Sequence, residues 1–518
     1  MLRLRRYSST SYSVESVLKH VRNKKPIQDK EIEDYSGVRM LLPPPNVTGK
    51  LHLGHGLTIT IQDTLNRLSR LRGEKPIWFP GLDHAGISVQ SVVEKELWKG
   101  SNLKRIHLSR EHFVGECNKW KDLKTEQISS QIKKMGAAID WSHQYYTMDD
   151  TFSSGVGKAF VQLHQDGYIF RDKRMINWCP TLQSSISDQE VSTISVTAGD
   201  SITIPSNGIK RNVKFGRLFK VKYELADCSF QKFVQVETSR PETIFADVAL
   251  AVNPSDDRYT KLIGLDVINP LTGKRMKIVT NEEVKIEFGT GVLKLTPNHS
   301  QIDFKIVTKC IEEGVLSKDL MSINCIDEQG KMVITSNHSS LNGLDRFEAR
   351  EQVINLLSSQ DKLIESTKQG YKTEIPVCER SGDVIEPVLK EQWFMRTASL
   401  HQQIKEHLKK GNLRIFPEFH KENLNQWLNN EDPWCLSRQL WWGHQIPAYF
   451  DADSNKWIVT DQENKVNKRD EDVLDTWFSS GLIPAILGGW PTNKKPLQMS
   501  FLETGHDILG FWVSYRLY

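Results

Sequence analysis

The run VRMLL at residues 38–42 passes without a break into PPPNVTG, and this junction constrains the fold more than any other stretch of the chain. VRMLL suits a short buried strand. Proline lacks an amide donor and cannot continue a central strand, so the strand ends there. From Leu53 to Arg72, Leu57, Ile61, Leu65 and Leu68 recur at three- and four-residue spacing, which predicts a helix with one apolar stripe facing a core. A second apolar strand, PIWFP at 76–80, is followed by GLDHAGI and another helical stretch through Val92, Val93 and Leu97. Strand, loop, helix and strand in that order predict a parallel α/β sheet.

After about Ser187 the texture changes. Alternating segments such as FKVKYEL at 219–225, KFVQVET at 232–238 and GVLKLTP at 291–297 predict a mainly β insertion with some helix, ending near GYKTEIPVC at 370–378. The rest returns to helix-rich sequence with Trp-dense loops. The expected divisions are an N-terminal extension at 1–35, a first α/β part at 36–187, an insertion at 188–375 and a second α/β part at 376–518. A chain of 518 residues with 38% hydrophobic and 25% charged residues is long enough for about three globular domains.

The charge balance, 68 Lys plus Arg against 64 Asp plus Glu, argues neither for nor against a nucleic-acid partner, so any RNA contact must be local. No apolar run approaches the ~18 residues that span a bilayer, and no membrane partner is expected. The seven cysteines, Cys117, Cys179, Cys228, Cys310, Cys325, Cys378 and Cys435, never fall at the close pair spacing of metal knuckles and redox motifs. A reducing compartment and no structural zinc are expected. The opening MLRLRRYSSTSYS carries Arg3, Arg5 and Arg6, many hydroxyls and no acid, the composition of a mitochondrial import segment; a basic tail on a cytosolic protein is the other reading.

In PPPNVTGKLHLGH, residues 43–55, the loop enters a helix whose first turn carries His52 and His55. Three residues apart they share a face beside free backbone N–H groups, which favours anions such as phosphates. A pair of surface or metal-binding histidines is the plainer reading of the tetrapeptide alone. Asp83 in LDHAGI reads as a helix N-cap, and Trp442 and Trp477 read as core, when nothing else is considered.

The whole of PPPNVTGKLHLGH resembles the His-Ile-Gly-His signature of the class I aminoacyl-tRNA synthetases, with Leu53 at the second position. The Pro-Pro-Pro-Asn opening and LDHAGI look like the valyl members. Further matches are WCLSRQLWWGHQIPAY at 434–449, DEDVLDTWFSSG at 470–481 and LETGHDILGFWV at 502–513. The resemblance implies a Rossmann-like parallel sheet in two halves, interrupted by a mainly β editing domain. It implies ATP with Mg2+, valine and tRNA(Val) as substrates, in a monomer of the mitochondrial matrix or the cytoplasm. It places His52 and His55 on the ATP phosphates and Gly505 with Asp507 at the ribose. Asp83 would take the α-ammonium of valine, while Pro44, Asn46, Trp442 and Trp477 would complete the amino-acid pocket.

A rigid apolar pocket rejects threonine poorly, because threonine and valine have nearly the same shape, and a second hydrolytic site is then expected. TSRPET at 238–243, FADVALAVNP at 245–254 and FGTGVLKLTPNHSQID at 288–303 resemble the family's editing segments. Arg240, Thr243, Asp247, Lys294, Thr296 and Asp303 match, with Asp303 the expected partner of a misattached threonine's ammonium. Ser239 and Ser300 stand where the family usually has threonine and aspartate, a departure expected to weaken hydrolysis. The paired cysteines that bind zinc in some relatives have no counterpart here, because Leu182 and Ser381 stand at the partner positions of Cys179 and Cys378. The family's Lys-Met-Ser-Lys-Ser loop and anticodon-binding domain do not occur in this sequence, so the chain is expected to be a truncated synthetase. A non-ligating homologue or gene fragment that retains only tRNA binding or deacylation is the alternative.

Overall fold

The strand expected at 38–42 forms over Arg39–Leu41 and pairs in parallel with Ile77–Phe79, with Met40 opposite Trp78. This computed structural model describes residues 37–206, 209–335, 338–365, 370–464, 466–492, 497–505 and 508–510. The N-terminal extension therefore lies outside the described residues. The chain forms two compact units, one of Met1–Phe170 with Phe394–Tyr518 and the other of Arg171–Trp393.

In the first unit the helix Leu53–Leu71 joins the two parallel strands, and Gly81–Leu82 pairs in parallel with Tyr145–Tyr146. A further parallel bridge joins Met40 to Phe501. The helices Ile87–Ser101, Arg110–Lys134 and Asp150–Gln165 complete the α/β pattern. Met40, Leu42, Trp78, Leu82, Val89, Phe113 and Trp442 share one core cluster.

The stripe expected on Leu53–Leu71 is not the buried one. Leu57 and Ile61 are 61% and 37% exposed, whereas Ile59, Gln62, Asn66 and Ser69 are buried. The reason is hydrogen bonding. Gln62 donates to the Leu41 carbonyl (3.2 Å) and accepts from the Trp78 indole (2.6 Å), and Asn66 donates to the Ala138 carbonyl (2.6 Å). Buried polar atoms at these strand and loop ends need partners, so amide side chains turn inward, while Leu57 and Leu68 are left outside and Leu65 is only partly covered.

The second unit is built on a seven-stranded sheet. Its order is Phe233–Thr238, Phe219–Leu225, Asp266–Ile268, Arg275–Thr280, Ala249–Val252 and Val292–Leu295, with Leu363–Glu365 also pairing Phe219–Leu225. Alternation in FKVKYEL buries Phe219, Val221, Tyr223 and Leu225, as period-two patterning requires. Ala249–Val252 is buried on both faces: Leu250 and Val252 join the larger cluster, while Ala249 and Ala251 join Ile306 and Val307 of the helix Gln301–Glu312. Small residues on that face let the helix approach.

Candidate functional site

His52 is the N-cap of the helix Leu53–Leu71 and His55 its third residue, and each imidazole caps the other's surroundings. His52 Nδ1 accepts from the Gly54 amide (3.1 Å), and His55 Nδ1 accepts from the His52 amide (3.2 Å). The rings lie 3.8 Å apart. With Nδ1 accepting, each neutral ring carries its proton on Nε2, where it is available as a donor. Burial, then the neighbouring His52, lowers His55 to about 4, so His55 is neutral at physiological pH. A Cβ on Gly54 would lie 3.0 Å from the His52 ring, which explains the glycine between the histidines.

Asp83 is buried at the crossing of three segments. Its Oδ1 accepts from the Ala85 amide (3.1 Å) and Thr147 Oγ1 (2.8 Å), and its Oδ2 from Thr476 Oγ1 (2.9 Å) and Ser480 Oγ (3.3 Å). Burial raises its pKa, and the four donors oppose the rise. Asp83 is not a helix N-cap. The cap of Ile87–Ser101 is Gly86 at φ +93°, where a Cβ would also lie 2.9 Å from that of Thr476.

The backbone of Asp83 bridges that of Asn46, with the Asp83 amide donating to the Pro45 carbonyl (3.0 Å). Pro44 is half-buried beside this bridge and Asn46 is exposed. Trp442 is buried and donates its indole N–H to the His84 carbonyl, while Gln90 Oε1 accepts both the Trp441 and Trp442 amides (2.9 and 3.1 Å). Half-buried Trp477 follows Thr476, one of the Asp83 donors. The structure thus gathers Asp83, Asn46 and Trp442 and sets Trp477 next to an Asp83 partner. Gly505 is exposed, in a segment whose Glu503 hydrogen-bonds Thr58 on the histidine helix. Asp507 lies outside the described residues.

In the second unit Lys294 Nζ donates to Thr243 Oγ1 (2.7 Å), Asp247 Oδ1 (2.8 Å) and Thr296 Oγ1 (2.6 Å), using all three protons. Tyr223 OH donates to Asp247 Oδ2 (2.6 Å). Asp303 Oδ2 accepts the Thr296 amide (2.8 Å) and Oδ1 accepts Ser300 Oγ (2.8 Å). Burial raises both Asp247 and Asp303, and Lys294 opposes each rise. Thr243 Oγ1 donates to the Arg240 carbonyl (3.0 Å), so all six expected residues form one connected network.

Cys179 and Cys378 hydrogen-bond to each other, and Cys179 Sγ lies 3.2 Å from Ser381 Oγ. The Cys179 contact, with further hydrogen bonds from Ser381 and the Arg380 amide, lowers the Cys378 thiol below its ordinary pKa against the effect of burial. Among the described residues no group of three or more His, Cys, Asp or Glu is arranged to hold a metal ion.

The family model for tRNA synthetases class I (I, L, M and V) matches residues 23–469 and 457–518. The chain belongs to this family. It is 41% identical over 507 residues to the valine–tRNA ligase of Homo sapiens, covering 92% of this chain and 39% of that protein. It is 40% identical over 500 residues to the mitochondrial valine–tRNA ligase of Homo sapiens, covering 92% and 46%. This synthetase chain therefore spans less than half the length of these relatives.

Several residues around both sites escape a reading of the synthetase sequence alone. Spacing does not single out Gln90, Tyr223 or Glu386, because their partners lie outside the local pattern. His299 sits inside the segment PNHSQ, where its position next to Ser300 is a usable signal.

Proposed function

We propose that the chain carries valine–tRNA ligase chemistry: the carboxylate of valine attacks the α-phosphorus of MgATP, pyrophosphate leaves, and a terminal ribose hydroxyl of tRNA(Val) then displaces AMP from the valyl adenylate. The observation that carries this reading is the reciprocal histidine cap. It presents two Nε2–H donors at a helix N-terminus, where donors held in place stabilise charge developing on phosphate oxygens. Pro44, Trp442 and Trp477 would enclose the valine side chain, Asn46 would complete the pocket, and Asp83 would take the ammonium. Gly505 and Asp507 would hold the ribose. About 40% identity to valine–tRNA ligases supports valine over the other amino acids of the family.

The unit Arg171–Trp393 is assigned the hydrolysis of threonyl-tRNA(Val). Arg240, Thr243, Asp247, Lys294, Thr296 and Asp303 hold the substrate and a water rather than supplying a nucleophile. The protein acts as a monomer, which sedimentation tests. It enters mitochondria through residues 1–35, supported by the acid-free arginine segment and tested by a fluorescent fusion of those residues.

Valine-dependent exchange of pyrophosphate into ATP decides the main reading. In a chain extended through the Lys-Met-Ser-Lys-Ser loop, without which activation is expected to fail, Asp83→Asn is expected to lower exchange at least about tenfold, equivalent to about 1.4 kcal/mol. No discrimination between valine and isoleucine by the unaltered protein would overturn the valine assignment, and an unchanged rate in Asp83→Asn would return Asp83 to a purely structural role.

A further inference from the structure

Glu386 is a buried carboxylate that none of the motif segments contains, and it opens the strand Glu386–Met395. Both oxygens accept from Arg240 Nη2 (2.8 and 2.9 Å), Oε2 also accepts from Arg346 Nη1 (2.6 Å), and Oε1 lies 3.3 Å from His299 Nδ1. His299 Nε2 accepts the Cys325 amide (3.3 Å), which puts the ring proton on Nδ1, pointing at Glu386. Arg240 is gripped a second time, its Nε donating to Glu242 Oε1 (3.1 Å), and Glu242 is itself held by Arg350 (2.9 and 2.8 Å). Burial disfavours a charged Glu386. Arg240, His299 and Arg346 outweigh it and hold the carboxyl well below its usual range.

Of the three side chains that Glu386 holds, Arg240 and His299 belong to the two segments of the lysine-centred network. Arg240 passes its carbonyl to Thr243, and His299 donates its amide to the Thr296 carbonyl (2.9 Å) and is followed by Ser300, the partner of Asp303. We propose that Glu386 is a positioning residue for hydrolysis: by holding Arg240 and His299 together, it fixes the spacing between the segment bearing Thr243 and Asp247 and the segment bearing Thr296 and Asp303. The inference rests on the hydrolytic reading of this unit. An ionised carboxylate suits the task because only a charged acceptor competes for two guanidiniums and an imidazole N–H at once. A displacement of a fraction of an ångström between Thr243 and Thr296 would then slow hydrolysis without removing any group that touches the substrate.

The test is steady-state hydrolysis of threonyl-tRNA(Val) by the full chain, Glu386→Gln, His299→Ala and the double variant, with folding followed by circular dichroism. Glu386→Gln is expected to lower kcat about 10- to 100-fold with KM little changed, and the double variant to be hardly slower than the worse single one, because both act through one contact. Unchanged kcat in a folded Glu386→Gln, or effects that simply multiply, would overturn the role of Glu386 while leaving the hydrolytic reading intact. No hydrolysis by the unaltered chain would overturn both. Should Glu386→Gln fail to fold, Glu386→Asp keeps the charge and shortens its reach; a wild-type kcat in that variant would overturn the proposal.

Discussion

Ser300 has a structural task of its own. It is the N-cap of Gln301–Glu312, accepting from the Asp303 amide (3.3 Å) while its hydroxyl donates to Asp303 Oδ1 (2.8 Å). An ionised aspartate could accept but not donate. Ser300→Ala is therefore expected to cost about 1 kcal/mol in urea unfolding, the usual loss for an N-cap. Ser300→Asp should regain only part of it, because it sets two carboxylates side by side; a variant with alanine as stable as wild type would show that the cap contributes nothing. At this scale motifs point to His52, His55, Asp83 and Lys294 as candidates, and the structure sets His52 against His55, Asp83 against Asn46, and Lys294 against Thr243, Asp247 and Thr296. The sequence is silent on residues defined by their partners. Gln90 meets Trp441 351 positions away and Arg240 meets Glu386 146 positions away, and no local pattern encodes such a pairing.

Among the elements, the strands Arg39–Leu41, Ile77–Phe79, Phe219–Leu225, Phe233–Thr238 and Val292–Leu295 fall within the segments read from apolar runs and alternation. The helix Leu53–Leu71 also forms where its periodicity indicates, but it turns a different face inward. Apolar periodicity locates a helix, whereas the choice of buried face depends on which backbone groups of the neighbouring segments lack partners, and that is a tertiary property. The consequence is a reversed mutational pattern. Gln62→Leu adds apolar volume yet leaves the Trp78 indole N–H and the Leu41 carbonyl without their partner, so it should destabilise by about 2–4 kcal/mol. Leu57→Gln and Ile61→Gln should each change stability by less than about 0.5 kcal/mol. Urea midpoints of the three variants decide the matter, and the opposite ranking would mean that the leucine stripe is the packed face.

For the molecule as a whole, pH separates the behaviour of the two units. His84 and His444, both in the first unit, are lowered to about 4, in each case chiefly by burial. His84 stacks on Tyr146 and contacts Thr125 Oγ1 (3.0 Å), and His444 is bonded to the Thr147 backbone while its Nε2 has no partner. A lowered histidine pKa means that the folded state excludes a proton the unfolded chain accepts. The associated stability is complete above about 6.5 and is lost as pH falls from there toward about 4, by about 1–3 kcal/mol per residue. In the second unit Glu242 and Glu386 are held below the usual glutamate value against burial, by Arg350 with Arg240 and by Arg240 with His299 and Arg346 respectively. Their stability is complete above the ordinary carboxylate pKa and is lost only beneath it, so acid should loosen the first unit before these ion pairs fail. Urea unfolding followed by tryptophan fluorescence at pH 7.5 and pH 5 should show wild type losing stability over the histidine window and His84→Gln losing less. Equal losses in the two proteins would show that His84 accepts its proton without disturbing the fold, and the burial argument for its neutral form would fail.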